Sequence, residues 1–254
     1  MISTCFFKKL PTDVLGENYA VVNNERFNMV ALTHPDLAEV FGEGMKFVAN
    51  KDYARAAELF KKTAEQGYSE AQFYLGLMCE GGQGITKDDQ QAVFWWTKAA
   101  EQGHVLAQNN LGLMYEQGRG VKQDYQKAAT WFCMAAEQGD VEAQYTLGFM
   151  YANGEGVPRD YLQAMFWLSK AAEQGDVASQ FKVAQLSLGT IYTPDSNVKQ
   201  DFIEAYKWFS IAGVDGDGNA KDGLEIAESY LTPSAIEEAQ RRADEWIVKK
   251  KMKL

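Results

Sequence analysis

The tetrapeptide AEQG stands at residues 64–67, 100–103, 136–139 and 172–175. Its four starts, 64, 100, 136 and 172, are each 36 residues apart. A fixed period of this size predicts a stack of like units, each burying its apolar face only against its neighbours. An alanine-rich segment runs into every copy, so Gly67, Gly103, Gly139 and Gly175 stand where a helix must stop. Glycine takes the left-handed conformation that ends a helix at low cost. Asp140 or Asp176, directly after it, suits the cap of the next helix. AEQG reads as a helix end written four times.

Aligning the copies at the 36-residue step brings Gly76, Gly112 and Gly148 together, with Ala184 fourth. Ala92, Ala128 and Ala164 coincide, as do Trp95, Trp131 and Trp167. Between them lie GQGI (82–85), GRGV (118–121) and GEGV (154–157), followed by Asp88, Asp124 and Asp160. Each unit therefore reads as helix, glycine loop, helix, stop. Ala128, Trp131, Phe132, Ala135 and Ala136 fall at i, i+3, i+4, i+7 and i+8, one apolar stripe at helical period. Burying a Trp removes on the order of 200 Å² from water, roughly 5 kcal/mol gross, so the tryptophans read as packing residues. The G-x-G loops follow helices and lack a G-K-[ST] element, which argues against a phosphate cradle. The recurring Asp88, Asp124, Asp160 and Asp201 read as helix caps.

These residues resemble the Sel1-like repeat family, a branch of the tetratricopeptide-like α-solenoids. The family pattern matches closely over 71–106, 107–142 and 143–178, and with weaker flanks it covers about residues 37–246. The resemblance implies an all-α, right-handed α-solenoid of about six helix-turn-helix repeats with a C-terminal capping helix. Residues 37–70 read as a tetratricopeptide-like first hairpin without the glycine loop. Residues 71–217 hold the repeats, the last (179–217) stretched, because Asp160 to Asp201 is 41 residues and the loop LGTIYTPDSNVKQD has lost G-x-G. Residues 218–254 form a capping hairpin and basic tail. There Ile236, Ala239, Ala243 and Trp246 make one face, and Pro233 after Thr232 starts the helix. Residues 1–36 match no repeat.

In this family the first helix of each pair lines a concave surface that commonly binds proteins or peptides. Leu75, Gly76 and Cys79 mark the packed side of one first helix. Helical geometry then puts Phe73, Leu77 and Glu80 on the other. The matching positions are Asn109, Leu113 and Glu116, then Tyr145 and Phe149, then Phe181. Phe73, Tyr145, Phe149 and Phe181 form an aromatic row suited to a peptide segment, with Asn109 placed to hydrogen-bond its backbone. The same row also reads as packing against the neighbouring repeat. Lys182 is the only basic side chain nearby, so no carboxylate clamp is expected.

The remaining features exclude more than they assign. The net charge of −10 argues against nucleic acid as a partner. Lys249, Lys250, Lys251 and Lys253 read as a solvated tail. Three cysteines, Cys5, Cys79 and Cys133, suggest neither a disulfide framework nor a metal set, and Cys79 reads as a buried packing residue. His34 and His104, the only histidines, read as solvated turn residues and make neither a metal site nor a triad. No signal peptide and no apolar run of about 18 residues is seen, which points to a cytoplasmic protein without membrane contact. Some cysteine-rich secreted relatives carry a β-lactamase label, and Ser179-Gln180-Phe181-Lys182 is an S-x-x-K string. Its K-T-G and S-D-N companions are missing, and Ser179 fills a small-residue packing slot. No cofactor, metal or catalytic residue is expected. The sequence reads as a scaffold or adaptor for a protein or peptide, monomeric or weakly oligomeric, with a bacterial regulatory or assembly role implied by the family. A hydrolase and a self-assembling structural protein are the alternatives.

Overall fold

The computed structural model describes residues 19–22, 25–28, 35–189, 201–214 and 218–252. Cys5, His34, most of the stretched loop before Asp201, and Lys253 lie outside the described residues. The chain forms two compact units, Met1–Asp140 and Val141–Leu254. The first opens with an antiparallel pair of short strands, β1 (Tyr19–Val22) and β2 (Glu25–Asn28), Tyr19 opposite Asn28. Six helices follow: α1 (Pro35–Ala49), α2 (Tyr53–Ala64), α3 (Ser69–Gly81), α4 (Asp89–Glu101), α5 (Val105–Gln117) and α6 (Tyr125–Glu137). The second unit holds α7 (Val141–Asn153), α8 (Tyr161–Glu173), α9 (Val177–Leu188), α10 (Phe202–Val214), α11 (Ala220–Glu228) and α12 (Pro233–Lys251). Consecutive helices pair as α1–α2, α3–α4, α5–α6, α7–α8 and α9–α10, and both α11 and α12 pack on α10. This is the all-α repeating class expected from the sequence.

Most helices begin and end for a local reason. The Asp88 carboxylate accepts from the Gln90 and Gln91 amides, Asp124 from Lys127, Asp160 from Leu162 and Gln163, and Asp201 from Glu204. These bonds satisfy amides that the first helical turn leaves open. At the far ends the AEQG glycines have φ between 83° and 97°. After Gly103 the chain turns back, and the His104 amide donates to Ala99 O at 3.1 Å, the six-to-one bond of a glycine-terminated helix.

Within a pair, a glycine on the first helix lets the second come close. A Cβ on Gly112 would lie 2.7 Å from the Phe132 ring, and one on Gly148 would lie 2.6 Å from Leu168 Cγ. Gly76 faces Trp96 and Gly44 faces Phe60 in the same way. The residues that follow the aligned tryptophans, Trp96, Phe132 and Leu168, are among the most enclosed large side chains. Trp95, Trp131 and Trp167 are also buried, as are the alanines of the stripe. In two of the loops the second glycine has a related task. Gly120 lies against Asp89 O and Gly84 against Tyr53 O, where a side chain has no room. In these two loops the main chain at the start of the preceding repeat's second helix fills the space beside the glycine.

In the first unit successive pairs are joined by a glutamine ladder. Gln72, Gln108 and Gln144, on the first helices, are buried. Gln72 Nε2 donates to Ala64 O at 3.0 Å, and its Oε1 accepts from Gln102 Nε2 at 2.7 Å. Gln108 repeats this with Ala100 O (3.1 Å) and Gln138 (2.7 Å). In the second unit Gln174 donates to Gln144 Oε1 at 2.9 Å. Gln102, Gln138 and Gln174 are the glutamines of AEQG, so the motif stops a helix and supplies a rung. A buried amide without such partners costs about 1–3 kcal/mol.

The C-terminal helix α12 starts with Thr232 capping the Ala235 amide and Pro233 in the first turn. It buries Ala239 and Ala243. Trp246 meets Trp208 of α10 edge-on at 5.8 Å between ring centres. The basic run is only partly a solvated tail. Lys250 lies 5.0 Å above the Trp246 ring and stands directly beside Gly175. The apolar stem of a lysine packs readily on such a surface while its charge reaches a polar edge.

Candidate partner-binding faces

In the first unit the predicted positions are largely occupied by the fold itself. Phe73 on α3 is 7% exposed. Its ring stacks on His104 at 4.5 Å and 22°, and meets Tyr74 edge-on. His104 is therefore not a solvated turn residue. It caps α5 through Nδ1, which accepts from the Ala107 amide at 3.2 Å. Burial holds it below the ordinary imidazole range, against a weaker upward pull from Glu70. Asn109 on α5 is buried. Leu77 and Leu113 are half-buried, and Leu77 packs against the core.

Glu80 carries the main electrostatic feature of this unit. Arg119, the middle residue of GRGV, places Nη1 2.8 Å from Glu80 Oε1. Its Nε and Nη2 reach the two oxygens of Asp89 at 3.3 and 3.1 Å. One guanidinium thus ties a loop to the end of α3 and the start of α4, and the two carboxylates raise its pKa. Glu116 is half-buried, and its main-chain oxygen accepts from Gln123 Nε2 at 2.8 Å. Cys79 is a free, buried thiol pushed up to about 11, first by burial and then by the nearby Asp88 charge.

In the second unit Tyr145 and Phe149 stand one turn apart on α7. Tyr145 is half-buried and Phe149 is 39% exposed. Leu147, Gly148, Met150 and Tyr151 of the same helix are buried, so α7 turns one full side inward and leaves Phe149 outside. Phe181 on α9 meets Phe209 edge-on at 5.5 Å. With Gln185, Leu188 and Ile226 it borders a recess of about 380 Å³ among α9, α10 and α11. No ring contact joins Tyr145, Phe149 and Phe181 among the described residues.

The S-x-x-K string offers no exposed nucleophile. Ser179 is fully buried, and the Lys182 ammonium donates to Gln185 Oε1 at 3.2 Å. No group of three or more His, Cys, Asp or Glu that could hold a metal ion occurs among the described residues. No helix among them is long and apolar enough to cross a membrane.

The repeating pair, its glycine loop and its AEQG rung recur with a known signature. Residues 36–68, 69–104, 105–140, 141–176 and 182–213 each match the Sel1 repeat model. The chain belongs to the Sel1 repeat family. Among solved structures, a Sel1 repeat protein from Oxalobacter formigenes is 30% identical, with a TM-score of 0.66, covering 81% of this chain and 83% of that one. A protective antigen of uropathogenic Escherichia coli displaying an SLR fold is 31% identical, with a TM-score of 0.56. That match covers 85% of this chain but 56% of the antigen. Comparison with curated proteins returned no match. Sel1 repeat proteins generally mediate protein–protein interactions and are typically non-catalytic scaffolds.

The sequence did not single out Arg119, the cap formed by His104 or the glutamine ladder. For the ladder the signal was present. Gln72, Gln108, Gln144 and Gln180 recur at the same 36-residue step and are all buried.

Proposed function

We propose that this Sel1 repeat chain is a non-catalytic adaptor that binds a protein or peptide segment on the concave face lined by its first helices. Phe149 carries the reading. It is a large apolar side chain left exposed on a helix whose opposite side is fully engaged. Tyr145 lies one turn before it and supplies an adjoining apolar surface with a polar tip. Such a pair suits anchors spaced along a helical or extended ligand. Phe181 and its recess add to the second unit's surface, and on the first unit, taken by itself, Leu77, Glu80, Leu113 and Glu116 line the corresponding positions. Phe73 and Asn109 support that face from beneath.

A photo-crosslinking residue at position 149 tests this in the native host. The control is position 162, where Leu162 on α8 is also exposed. A discrete protein adduct is expected from 149, absent from 162 and lost with Tyr145→Ala. Equal adducts from both positions, or none from 149, would remove this face from consideration.

A further inference from the structure

The outer side of α12 carries an open trough of about 780 Å³ with Ile236, Val248 and Met252 among its lining residues and Tyr206 of α10 beside it. Val248 is 52% exposed and Met252 is 83% exposed. This helix therefore buries Ala239 and Ala243 inward and keeps apolar side chains outward as well. A surface helix with that composition has a face without a partner.

The charges along the trough say which partner fits. Reading outward from Ala243, Arg242 is matched by Asp244, Arg241 by Glu245, and Glu237 by Lys249. These three pairs are each of opposite sign, while Glu238, Lys250 and Lys251, which do not line the trough, fall opposite uncharged residues. Reversing the helix direction therefore maps each charge that lines the trough onto one of opposite sign. Arg241 already bridges Glu238 and Glu245 within its own helix, and Arg242 bridges Glu238. Glu237 and Lys249, at the two ends of the trough, join no ion pair among the described residues. They are twelve residues apart, about 18 Å along the helix axis.

We infer that the outer face of α12 is a two-fold contact with a second copy of this chain, the two α12 helices running antiparallel. Glu237 of each copy then faces Lys249 of the other, with the apolar side chains of Ile236, Val248 and Met252 alongside in the same trough. A two-fold contact requires this kind of self-complementary surface. The helix of 19 residues spans about 28 Å, so the contact is small. Interfaces below about 1,200 Å² belong to weak, reversible associations, and charge pairs at their rim are screened by salt. The inference is independent of the partner-binding face proposed on the first helices, since it uses neither α7 nor α9.

Sedimentation equilibrium of the full chain measures it directly. The expected result is a monomer–dimer equilibrium in the micromolar range at 50 mM salt, weakened at least fivefold at 500 mM. Glu237→Lys and Lys249→Glu each set like charges opposite each other twice in a homodimer and raise the Kd at least tenfold. Mixing the two variants restores opposite signs at both contacts, so a heterodimer forms with near wild-type affinity. Both positions are exposed, and helical circular dichroism checks that each variant is folded. A wild-type chain that stays monomeric to about 200 µM at low salt overturns the inference. So does a dimer indifferent to either reversal, or a pair of weakened variants that fails to recover on mixing.

Discussion

Helices α3 and α7 occupy the same place in two copies of one repeat, yet they present different surfaces. Phe73 on α3 is enclosed, whereas Tyr145, in the same slot of α7, is half-buried. Leu77 packs towards the core, whereas its counterpart Phe149 stands out. The difference lies 31 residues further on. His104 covers Phe73 with its ring while capping α5. Asp176, the counterpart residue, caps α9 by accepting from the Ser179 amide at 2.7 Å, and has no ring to lay over Tyr145. One capping task is done by two side chains, and only one of them also closes the surface. The repeat code fixes the helices, and a residue free to vary within that code decides what a partner meets.

The comparison is tested most severely through what both units share. Gln108→Ala removes a buried amide that serves Ala100 O and Gln138 together, and leaves a cavity. It is expected to cost about 3 kcal/mol, read as a lower urea midpoint. Gly112→Ala comes next. Its new methyl meets three atoms of the flat Phe132 ring within 2.9 Å, while Gly148→Ala brings only Leu168 Cγ that close, with Ala164 O at 3.2 Å. The first is expected to destabilise by about 2 kcal/mol and the second by roughly half that, because alanine also favours the helix. Equal costs would show that the two units pack their glycines alike.

Acid sharpens the contrast around His104. Burial lowers its folded-state pKa, so the unfolded chain takes up the proton first as pH falls. The stability it contributes is complete above its unfolded value, about 6.5, and is lost as pH drops below that value, by at most about 1.4 kcal/mol per pH unit. His104→Asn keeps a cap acceptor and removes the titration. The difference between wild type and variant in denaturation midpoints from pH 7 to 5 isolates this contribution. The smallest effect is expected at Phe149→Ala, a change in stability of about 0.5 kcal/mol or less by thermal melting, because an exposed side chain has little packing to lose.

Most of the fold was legible because its determinants are local and periodic. Gly103 after an alanine run, Asp88 before a helix, and the stripe from Ala128 to Ala136 each state their structure within a few residues. Less of the candidate site was legible. Phe73 looked like part of an open row, because the residue that covers it is remote in sequence and a lone histidine gives no hint of stacking. Arg119 sits at the variable position of G-x-G, taken by Gln83 and Glu155 in other copies, so alignment gave it no weight. The ladder glutamines recurred in plain view, but glutamine is ordinarily a surface residue, and only their burial revealed the bonds. Lys250 was assigned to a tail because charge runs are usually solvated. Its contact with Trp246 depends on a helix continuing through the run.

The first rung of the ladder explains how loosely the chain can begin. Gln72 asks its predecessor for a single main-chain oxygen, that of Ala64, and for no particular side chain. Any helix ending at the right height can meet that demand. The opening hairpin of α1 and α2 therefore needed neither the glycine loop nor the tryptophan of later copies. The rings of Phe41 and Phe60, set against Tyr68 and Tyr74, supply the rest of that junction, so it is held by apolar contact rather than by a matched polar partner.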